Sequence, residues 1–224
     1  ISLPLLEKKL RFSSLFQDQQ NTLWATTDEG LLRIDNHNNP ESATLFDYPE
    51  NYYRIDCIHC GKEIAIDKQG QFWMTTFEGL IRYKPEDNTY QLYKNNPDDP
   101  ASLSLDNTTD LLIDGSVLWV GTMGMGIDIY DASQINFQHY LDRKKSGRLY
   151  SLYNLLVDEQ QRVWFIDSYK NLSYLDTKNN MVDIIKPDPQ SNWALADMKK
   201  DSAGKFWLVS KDALIFFDPL NQQY

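Results

Sequence analysis

One motif recurs along the whole chain: an aspartate, a short turn, and then a tryptophan within a short apolar segment. Successive anchoring tryptophans are 43 to 49 residues apart, and an aspartate precedes each of them by five or six residues. The tryptophans are Trp24, Trp73, Trp119, Trp164 and Trp207, and the aspartates are Asp18, Asp67, Asp114, Asp158 and Asp201. Repeats of about 40–50 residues are typical of propellers and solenoids. This repeat therefore constrains the fold more than any other feature.

Each repeat contains four short segments with the pattern of β-strands. Apolar residues alternate or form short runs, and turn residues such as Gln69-Gly70 and Asp114-Gly115 separate them. No stretch shows a sustained helical period. Four strands in about 45 residues match one propeller blade. We therefore predict an all-β fold, a β-propeller of four-stranded antiparallel blades, with about five blades present as part of a larger propeller.

The repeats also define the domain organisation. We predict one partial propeller over residues 1–224, with repeats at approximately 10–54, 55–105, 106–149, 150–192 and 193–224. Each anchoring Trp is expected on the second strand of its blade, where one large aromatic fills the gap between neighbouring sheets. The chain begins at Ile1 rather than Met, so we interpret it as a piece of a longer protein.

The recurrent aspartate has a structural interpretation. Asp side chains commonly accept backbone N–H bonds in turns. Because the residue recurs at one position in all five repeats, turn formation between the first and second strands explains it better than catalysis.

Charge and hydropathy exclude several classes of partner. The net charge is −10, and no Lys/Arg-rich stripe offsets it, which argues against nucleic acid and against an anionic membrane surface. The longest wholly apolar run is Ala213–Phe217, far below the roughly 20 residues of a spanning helix. We predict no membrane contact by this segment.

No motif for catalysis or cofactor binding is present. The sequence lacks G-x-S-x-G, H-E-x-x-H and a phosphate-binding loop at a helix start, so we predict no catalytic residue, no cofactor and no enzyme activity. Cys57-Ile58-His59-Cys60 lacks a second ligand pair; two ordinary thiols or a local disulfide are favoured over zinc or redox chemistry. The acidic segment 95–106 is interpreted as a solvated linker rather than a calcium site.

The aligned repeats resemble the two-component regulator propeller family. The match is carried by the run Asn95–Asp114 (NNPDDPASLSLDNTTDLLID), followed by Leu118-Trp119-Val120-Gly121-Thr122. Repeats four and five depart from the family pattern, since Asp167 replaces the usual Thr, while Asn171 and Ala213 replace Gly. The resemblance implies the periplasmic sensor region of an inner-membrane protein, followed by a small β-sandwich, one span and an output domain. Many such sensors of hybrid two-component histidine kinases recognise oligosaccharides.

Propellers commonly bind at one end of the ring, through the first residues of the innermost strands and the loops joining the second and third strands. Eight residues before each turn Asp, packing favours similar side chains, yet Leu10, His59, Asp106, Tyr150 and Trp193 differ sharply. Tyr150 and Trp193 have polar neighbours, a composition that suits stacking on sugars, although filling of gaps between blades also explains them. We predict His59, Asp106, Tyr150 and Trp193 as ligand-binding residues.

Three functions remain open at this point. The first is the ligand-sensing segment of a hybrid histidine kinase, with an oligosaccharide, other domains of the same receptor and a second copy as the expected partners. The second is the sensor propeller of a diguanylate cyclase. The third is a non-catalytic scaffold for protein–protein interaction, which would show a flat surface rather than a concave site lined by aromatic and polar residues.

Overall fold

The computed structural model describes residues 10–18, 21–35, 43–47, 63–131, 136–140, 150–185 and 194–223. Every regular element in these ranges is a β-strand, which confirms the all-β prediction. Among these residues no helix is long and apolar enough to cross a membrane. The chain divides into two compact units: residues 1–95 with 106–108, and residues 96–105 with 109–224.

The first unit contains two four-stranded antiparallel sheets, each in consecutive strand order. The strands of the first blade are β1 (Phe12–Gln17), β2 (Leu23–Thr27), β3 (Gly30–Ile34) and β4 (Ala43–Asp47). Those of the second blade are β5 (Ile64–Ile66), β6 (Phe72–Thr76), β7 (Gly79–Lys84) and β8 (Thr89–Tyr93).

The second unit contains the remaining three blades. The third comprises β9 (Thr108–Asp114), β10 (Val117–Gly124), β11 (Ile127–Asp131) and β12 (Asn136–Tyr140). The fourth comprises β13 (Tyr150–Val157), β14 (Arg162–Asp167), β15 (Leu172–Asp176) and β16 (Met181–Ile185). The fifth has three described strands, β17 (Leu195–Lys200), β18 (Phe206–Ser210) and β19 (Leu214–Phe217). All five anchoring tryptophans lie on the second strand of their blade, as predicted.

The recurrent aspartate closes the turn between the first and second strands. In the second blade, Oδ1 of Asp67 accepts the backbone N–H groups of Gln69 (3.0 Å) and Gln71 (2.9 Å), while Oδ2 accepts the indole N–H of Trp73 at 2.9 Å. The same indole bond reaches Asp18 from Trp24 and Asp158 from Trp164, at 2.9 and 2.7 Å. One carboxylate therefore fixes both the turn and the rotamer of the anchoring Trp, which confirms the turn prediction and adds a second role.

The third blade departs from this scheme. Asp114 precedes Trp119 by five residues instead of six, because the turn through Gly115 (φ 65°) is one residue shorter. The indole nitrogen of Trp119 is buried and finds no hydrogen-bond partner among the described residues. A buried donor without a partner destabilises a fold by about 1–3 kcal/mol. The indole bond occurs in the first, second and fourth blades, where the spacing is six, and is absent at the five-residue spacing of the third blade.

A second turn residue recurs between the second and third strands. The hydroxyl of Thr76 accepts the N–H of Glu78 (3.1 Å) and donates to the carbonyl of Gly79 (2.7 Å). Equivalent bonds involve Thr27, Thr122 and Ser210 in the first, third and fifth blades. In the fourth blade the Asp167 carboxylate accepts the N–H groups of Tyr169 and Asn171, at 2.8 and 2.9 Å. The departure of Asp167 from the family pattern therefore preserves the turn chemistry.

Apolar side chains of consecutive blades form the core, and aromatic pairs join the blades in two of its three clusters. Within the first unit, Trp24 of the first blade contacts Phe72 of the second, with ring centroids 4.4 Å apart. Within the second unit, Trp164 is fully buried against Phe206 and Phe217 of the fifth blade, at centroid distances of 5.5 and 5.4 Å. Burial of large apolar side chains between sheets is the main stabilising contribution.

The acidic segment before the third blade is not a simple solvated linker. Leu103 is fully buried, and the N–H of Ser104 donates to the Asp128 carboxylate at 2.8 Å. His139 lies 2.8 Å from the same carboxylate through Nδ1 and 3.0 Å from the carbonyl oxygen of Pro100 through Nε2. Residues 95–100 are exposed, which agrees with the solvated-linker interpretation, whereas Leu103, the N–H of Ser104 and the carbonyl of Pro100 attach the segment to β11 and β12.

The first residue of the third strand in the second blade, Gly79, is expected to tolerate no side chain. Gly79 has φ +135°, and an added Cβ would lie 2.2 Å from the carbonyl oxygen of Tyr93. We expect Gly79→Ala to lower the free energy of unfolding by about 2 kcal/mol or more, because the clash is with backbone. The control is Gly70→Ala, where φ is +75° but no atom lies within 4 Å; about 1 kcal/mol is expected there. Equal losses in urea titrations followed by circular dichroism would contradict this.

Candidate functional site

The structure places the four predicted ligand-binding residues unequally. His59 and Trp193 lie outside the described residues. Tyr150 is the first residue of β13, and its backbone pairs with Gly124 at the end of β10. Oδ1 of Asp106 accepts the N–H of Asn95 at 2.6 Å, so this carboxylate already closes a loop. Asp106 and Tyr150 belong to different compact units, and their convergence stays a prediction.

Within the second unit, the start of β13 lies beside the loop between the second and third strands of the third blade. The pairs Met123↔Ser151 and Gly124↔Tyr150 join β10 to β13. Met123, on β10 just before that loop, is 41% exposed, and Tyr169 in the loop between the second and third strands of the fourth blade is 79% exposed. Both residues lie at the end of the blades where a binding site is expected.

The turn chemistry explains why these side chains face solvent. Thr122 and Asp167 bind the backbone N–H groups of the loop with their own side chains. The loop backbone is therefore satisfied internally, and the residues between its two ends have no core position to occupy. Phe77 occupies the same kind of loop in the second blade of the first unit and is 36% exposed. A large exposed side chain thus follows the turn acceptor by one or two positions in the second, third and fourth blades.

In the first blade, the residue that follows the turn threonine is a charged aspartate, Asp28, instead of a large apolar residue. Asp28 accepts the backbone N–H and the Nε–H of Arg11, both at 2.9 Å. Partial burial raises the pKa of the Asp28 carboxyl, but the hydrogen bonds and the positive charge of Arg11 outweigh it and leave the pKa below its usual value. The pair stays charged at neutral pH, and it joins the residues before β1 to the loop after β2.

Phe77, Met123 and Tyr169 were not predicted from the sequence, where only the first residues of the innermost strands were assigned. The signal was available, because each follows a recurrent turn acceptor by one or two positions. What the sequence could not show is exposure, since apolar residues next to a strand are more often buried.

Polar groups on the innermost strands of the second unit have structural partners. Asp110 is 5% exposed; Oδ2 accepts the N–H of Leu155 and Oδ1 accepts that of Leu111 at 2.9 Å. Asn154 donates to Asp197 at 2.6 Å. The strand β13 carries a register shift between Tyr153 and Leu156, which frees the Leu155 N–H from its own sheet. These residues join successive blades.

A cleft of about 630 Å³ lies between the first and second blades, at the end of the sheets that carries the aspartate turns. Its lining includes Phe16, Trp24, Arg33, Asp67 and Lys68. In the fourth blade, Arg162 occupies the position of Thr22 and stacks on Trp164 (5.1 Å) while donating to the carbonyl of Pro219. The short Thr22 side chain therefore leaves space that an arginine fills elsewhere.

The carboxylates of the cleft have structural roles. Asp18 and Asp67 each bind a turn N–H group and an indole N–H group. The Trp24 ring is covered by Phe72 and by the Arg33 guanidinium, which lies 5.5 Å from its centroid. Both carboxylates and the aromatic face of this cleft are already in contact with other groups. The better candidate for ligand binding is therefore the opposite end of the blades, which carries the loops between the second and third strands. We call it the loop end.

No arrangement for metal binding occurs in the described part of the chain, where no three His, Cys, Asp and Glu side chains cluster. Cys57 and Cys60 lie outside the described residues. The expectation that they bind no metal therefore stays a prediction.

Comparisons with known proteins identify the fold. No protein-family model matches the sequence, and no curated protein matches it significantly. Two similar structures are extracellular domains from B. thetaiotaomicron, ascribed to the hybrid two-component system BT3049 and the one-component system BT4673. Identity is 24% and 17%, TM-scores are 0.74 and 0.77, and coverage is 95% and 96% of this chain. The chain spans 29% and 30% of those domains.

A third similar structure is a protein assigned as a gluconolactonase, with 9% identity, a TM-score of 0.62, and coverage of 96% of this chain and 76% of that one. Proteins described in such different terms can share one fold, so the likeness shows the fold alone. The strand order, the repeated turns and these likenesses agree on one conclusion: the chain has the β-propeller fold, built from antiparallel blades.

Proposed function

We propose that this chain is an extracytoplasmic ligand-sensing segment of a membrane-bound signal-transduction receptor. The observation that carries the proposal is the likeness, over 95–96% of the chain, to extracellular domains of two-component and one-component systems. The residue pattern of the repeats, which resembles the two-component regulator propellers, supports it independently. The segment would be periplasmic and part of an inner-membrane protein, with other domains of the same receptor as partners.

We propose an oligosaccharide as the ligand and the loop end of the blades as its site. Tyr169 and Met123 supply exposed apolar surface in the second unit, and Tyr150 begins β13, where its backbone pairs with Gly124 next to Met123. Aromatic rings that stack on sugar faces contribute about 1–3 kcal/mol when fully covered. A few polar groups then orient the hydroxyls. Trp193, His59 and Asp106 complete the proposed set.

A hybrid histidine kinase is the proposed output, with a diguanylate cyclase sensor and a protein-binding scaffold as the alternatives. We propose no catalysis by the segment itself. Two described carboxylates near this end, Asp28 and Asp110, are held by Arg11 and by backbone N–H groups. Neither carboxylate is therefore free to act as a general acid or a general base.

Substitution of loop-end aromatics is expected to weaken ligand binding. The sensor region is titrated calorimetrically with a panel of soluble oligosaccharides that differ in sugar and linkage. For the sugar that binds, Tyr169→Ala, Tyr150→Ala and Trp193→Ala should each reduce affinity at least several-fold. Tyr169 is suited to this test because its backbone N–H, rather than its side chain, closes the turn.

The matched control is Met181→Ala, on the outer strand β16, where the side chain is 57% exposed. Its affinity should equal that of the wild type. Unchanged affinity in all three aromatic variants, with native circular dichroism, would remove the loop end as the site. Hydrolysis of the sugar, abolished by one carboxylate substitution, would contradict the absence of catalysis.

A further inference from the structure

The third blade carries a polar cross-strand pair at a position where the first two blades carry apolar pairs. Asp128 on β11 and His139 on β12 are direct partners in the antiparallel register. Counted from the strand partner of the anchoring Trp, the equivalent pairs of the first and second blades are Leu32↔Leu45 and Ile81↔Leu92. An apolar pair therefore suits the fold at this position, and sheet formation alone does not explain the polar pair.

The Asp128 carboxylate needs a positive charge beside it. Its side chain is 0% exposed, its Oδ1 lies 2.8 Å from Nδ1 of His139, and its Oδ2 accepts the N–H of Ser104 at 2.8 Å. A buried carboxylate is strongly destabilising unless it is paired and hydrogen-bonded. The strands β11 and β12 and residues 96–105 contain no Lys or Arg, so His139 is the only basic side chain on these elements.

The surroundings of His139 favour its charged form. Its Nε2 lies 3.0 Å from the carbonyl oxygen of Pro100. Carboxylate and carbonyl oxygens only accept hydrogen bonds, so both ring nitrogens must carry a proton to bond both of them. The other charged groups on the same elements are carboxylates, and the remaining titratable groups are phenols, which are neutral below about pH 9. These groups are Asp98, Asp99, Asp131, Tyr130 and Tyr140.

The carbonyl of Pro100 belongs to a turn segment, residues 96–102, whose first five residues are exposed. The segment is closed by its own backbone bonds. The N–H of Asp99 donates to the carbonyl of Asn96 at 2.9 Å, and the N–H of Ser102 donates to the carbonyl of Asp99 at 3.1 Å. The turn segment therefore keeps its local form without help from the sheet.

Two hydrogen bonds attach the turn segment to the outer strand β12. One is the bond from His139, and the other runs from the N–H of Phe137 to the carbonyl of Ala101, at 2.8 Å. The residues that follow are held separately, because Leu103 is fully buried and Ser104 is bonded to the buried carboxylate. Loss of the His139 bond therefore acts on the turn segment and leaves the next residues in place.

We propose that His139 is a pH-sensitive switch that holds the turn segment against β12 as an imidazolium and releases it on losing a proton. The neutral ring keeps its proton on Nδ1, because the carboxylate of Asp128 is a stronger acceptor than a carbonyl. The lone pair of Nε2 then faces the lone pairs of the Pro100 carbonyl oxygen, and the attraction becomes a repulsion. The bond from Phe137 alone is left to hold the turn segment.

The direction of the pH dependence follows from the two charge states. Histidine in an unfolded chain has a pKa of about 6.5. The attachment is fully present below that pH, and it is lost as the pH rises through the pKa of His139 in the folded protein.

Long-range ¹H–¹⁵N NMR of the imidazole ring tests the charge state on the unmodified 224-residue chain. Both ring nitrogens of His139 should carry protons at about pH 6, and the pKa of His139 should lie above about 6.5. Amide hydrogen exchange tests the release. The protection of the Phe137 N–H, corrected for the intrinsic exchange rate, should fall about tenfold as the pH rises through the pKa of His139, which is the effect of one hydrogen bond. The Ser104 N–H is the internal reference and should keep its protection.

Asp128→Asn is the matched variant, because asparagine keeps the size of the side chain and one acceptor oxygen but removes the charge. It should lower the pKa of His139 and, by the same amount, the pH at which Phe137 loses protection.

The proposal fails if a ring nitrogen of His139 is unprotonated at about pH 6, or if the protection of Phe137 does not change while His139 titrates. It also fails if Phe137 loses protection at the same pH in the wild type and in Asp128→Asn. The wild-type measurements decide the question by themselves where the variant is unstable. The pair lies on the outer strands of the third blade, so these outcomes leave the ligand-binding proposal unaffected.

Discussion

Replacing Trp164 by alanine is expected to lower the free energy of unfolding of the second unit by about 3–5 kcal/mol, the range for large-to-small substitutions of buried aromatics. Trp164 is fully buried, contacts Tyr174 on its own sheet and Phe206 and Phe217 on the next, and donates its indole N–H to Asp158. The alanine variant loses both the packing and the hydrogen bond. Chemical denaturation followed by far-ultraviolet circular dichroism measures the loss.

Trp207→Ala is the matched control for this prediction. The residue has the same position in its repeat, but in the 224-residue chain it is 41% exposed, so a loss of about 1 kcal/mol or less is expected. Trp164→Phe separates the two contributions of Trp164, because phenylalanine keeps an aromatic ring and removes the indole donor; about 1–2 kcal/mol is expected. Similar losses for Trp164→Ala and Trp207→Ala would show that burial between blades does not dominate stability.

Asp158→Ala is expected to have a comparably large effect, about 3–5 kcal/mol, because it leaves a buried cation without its partner. The Asp158 carboxylate accepts the N–H groups of Gln160 and Arg162, the Nε–H of Arg162 at 2.6 Å and the indole N–H of Trp164. The side chains of Asp158 and Arg162 are only 1% and 12% exposed. One substitution therefore removes the turn, the ion pair and the orientation of the core Trp together.

Asp201→Ala provides the comparison at the equivalent position of the fifth blade. Asp201 accepts only the turn N–H groups of Ala203 and Lys205 in the described structure, at 2.9 Å each. We expect a loss of about 1 kcal/mol, typical of a turn or cap acceptor. If both variants lost the same stability, the carboxylate would act only through the turn, and its bonds to Trp164 and Arg162 would be energetically neutral.

Local sequence determined the repeat architecture because the interactions that define a blade are short in range. The aspartate turn spans four residues and its indole bond six, so both could be located from spacing in the repeats. The alternation of apolar residues similarly placed each Trp on a second strand. Even the unsatisfied indole of Trp119 has a sequence signal, since its spacing from Asp114 is five.

Tertiary structure decided which of these equivalent residues are buried and which are exposed to solvent. Trp164 and Trp207 have the same repeat position, yet only Trp164 is covered by another blade. The bond from Leu155 to Asp110 joins residues 45 apart in the sequence and depends on a register shift in β13. Tyr169 is exposed because Asp167 satisfies its loop backbone internally. Burial and long-range pairing arise when sheets pack against each other, and residue type and spacing within one repeat do not contain that information.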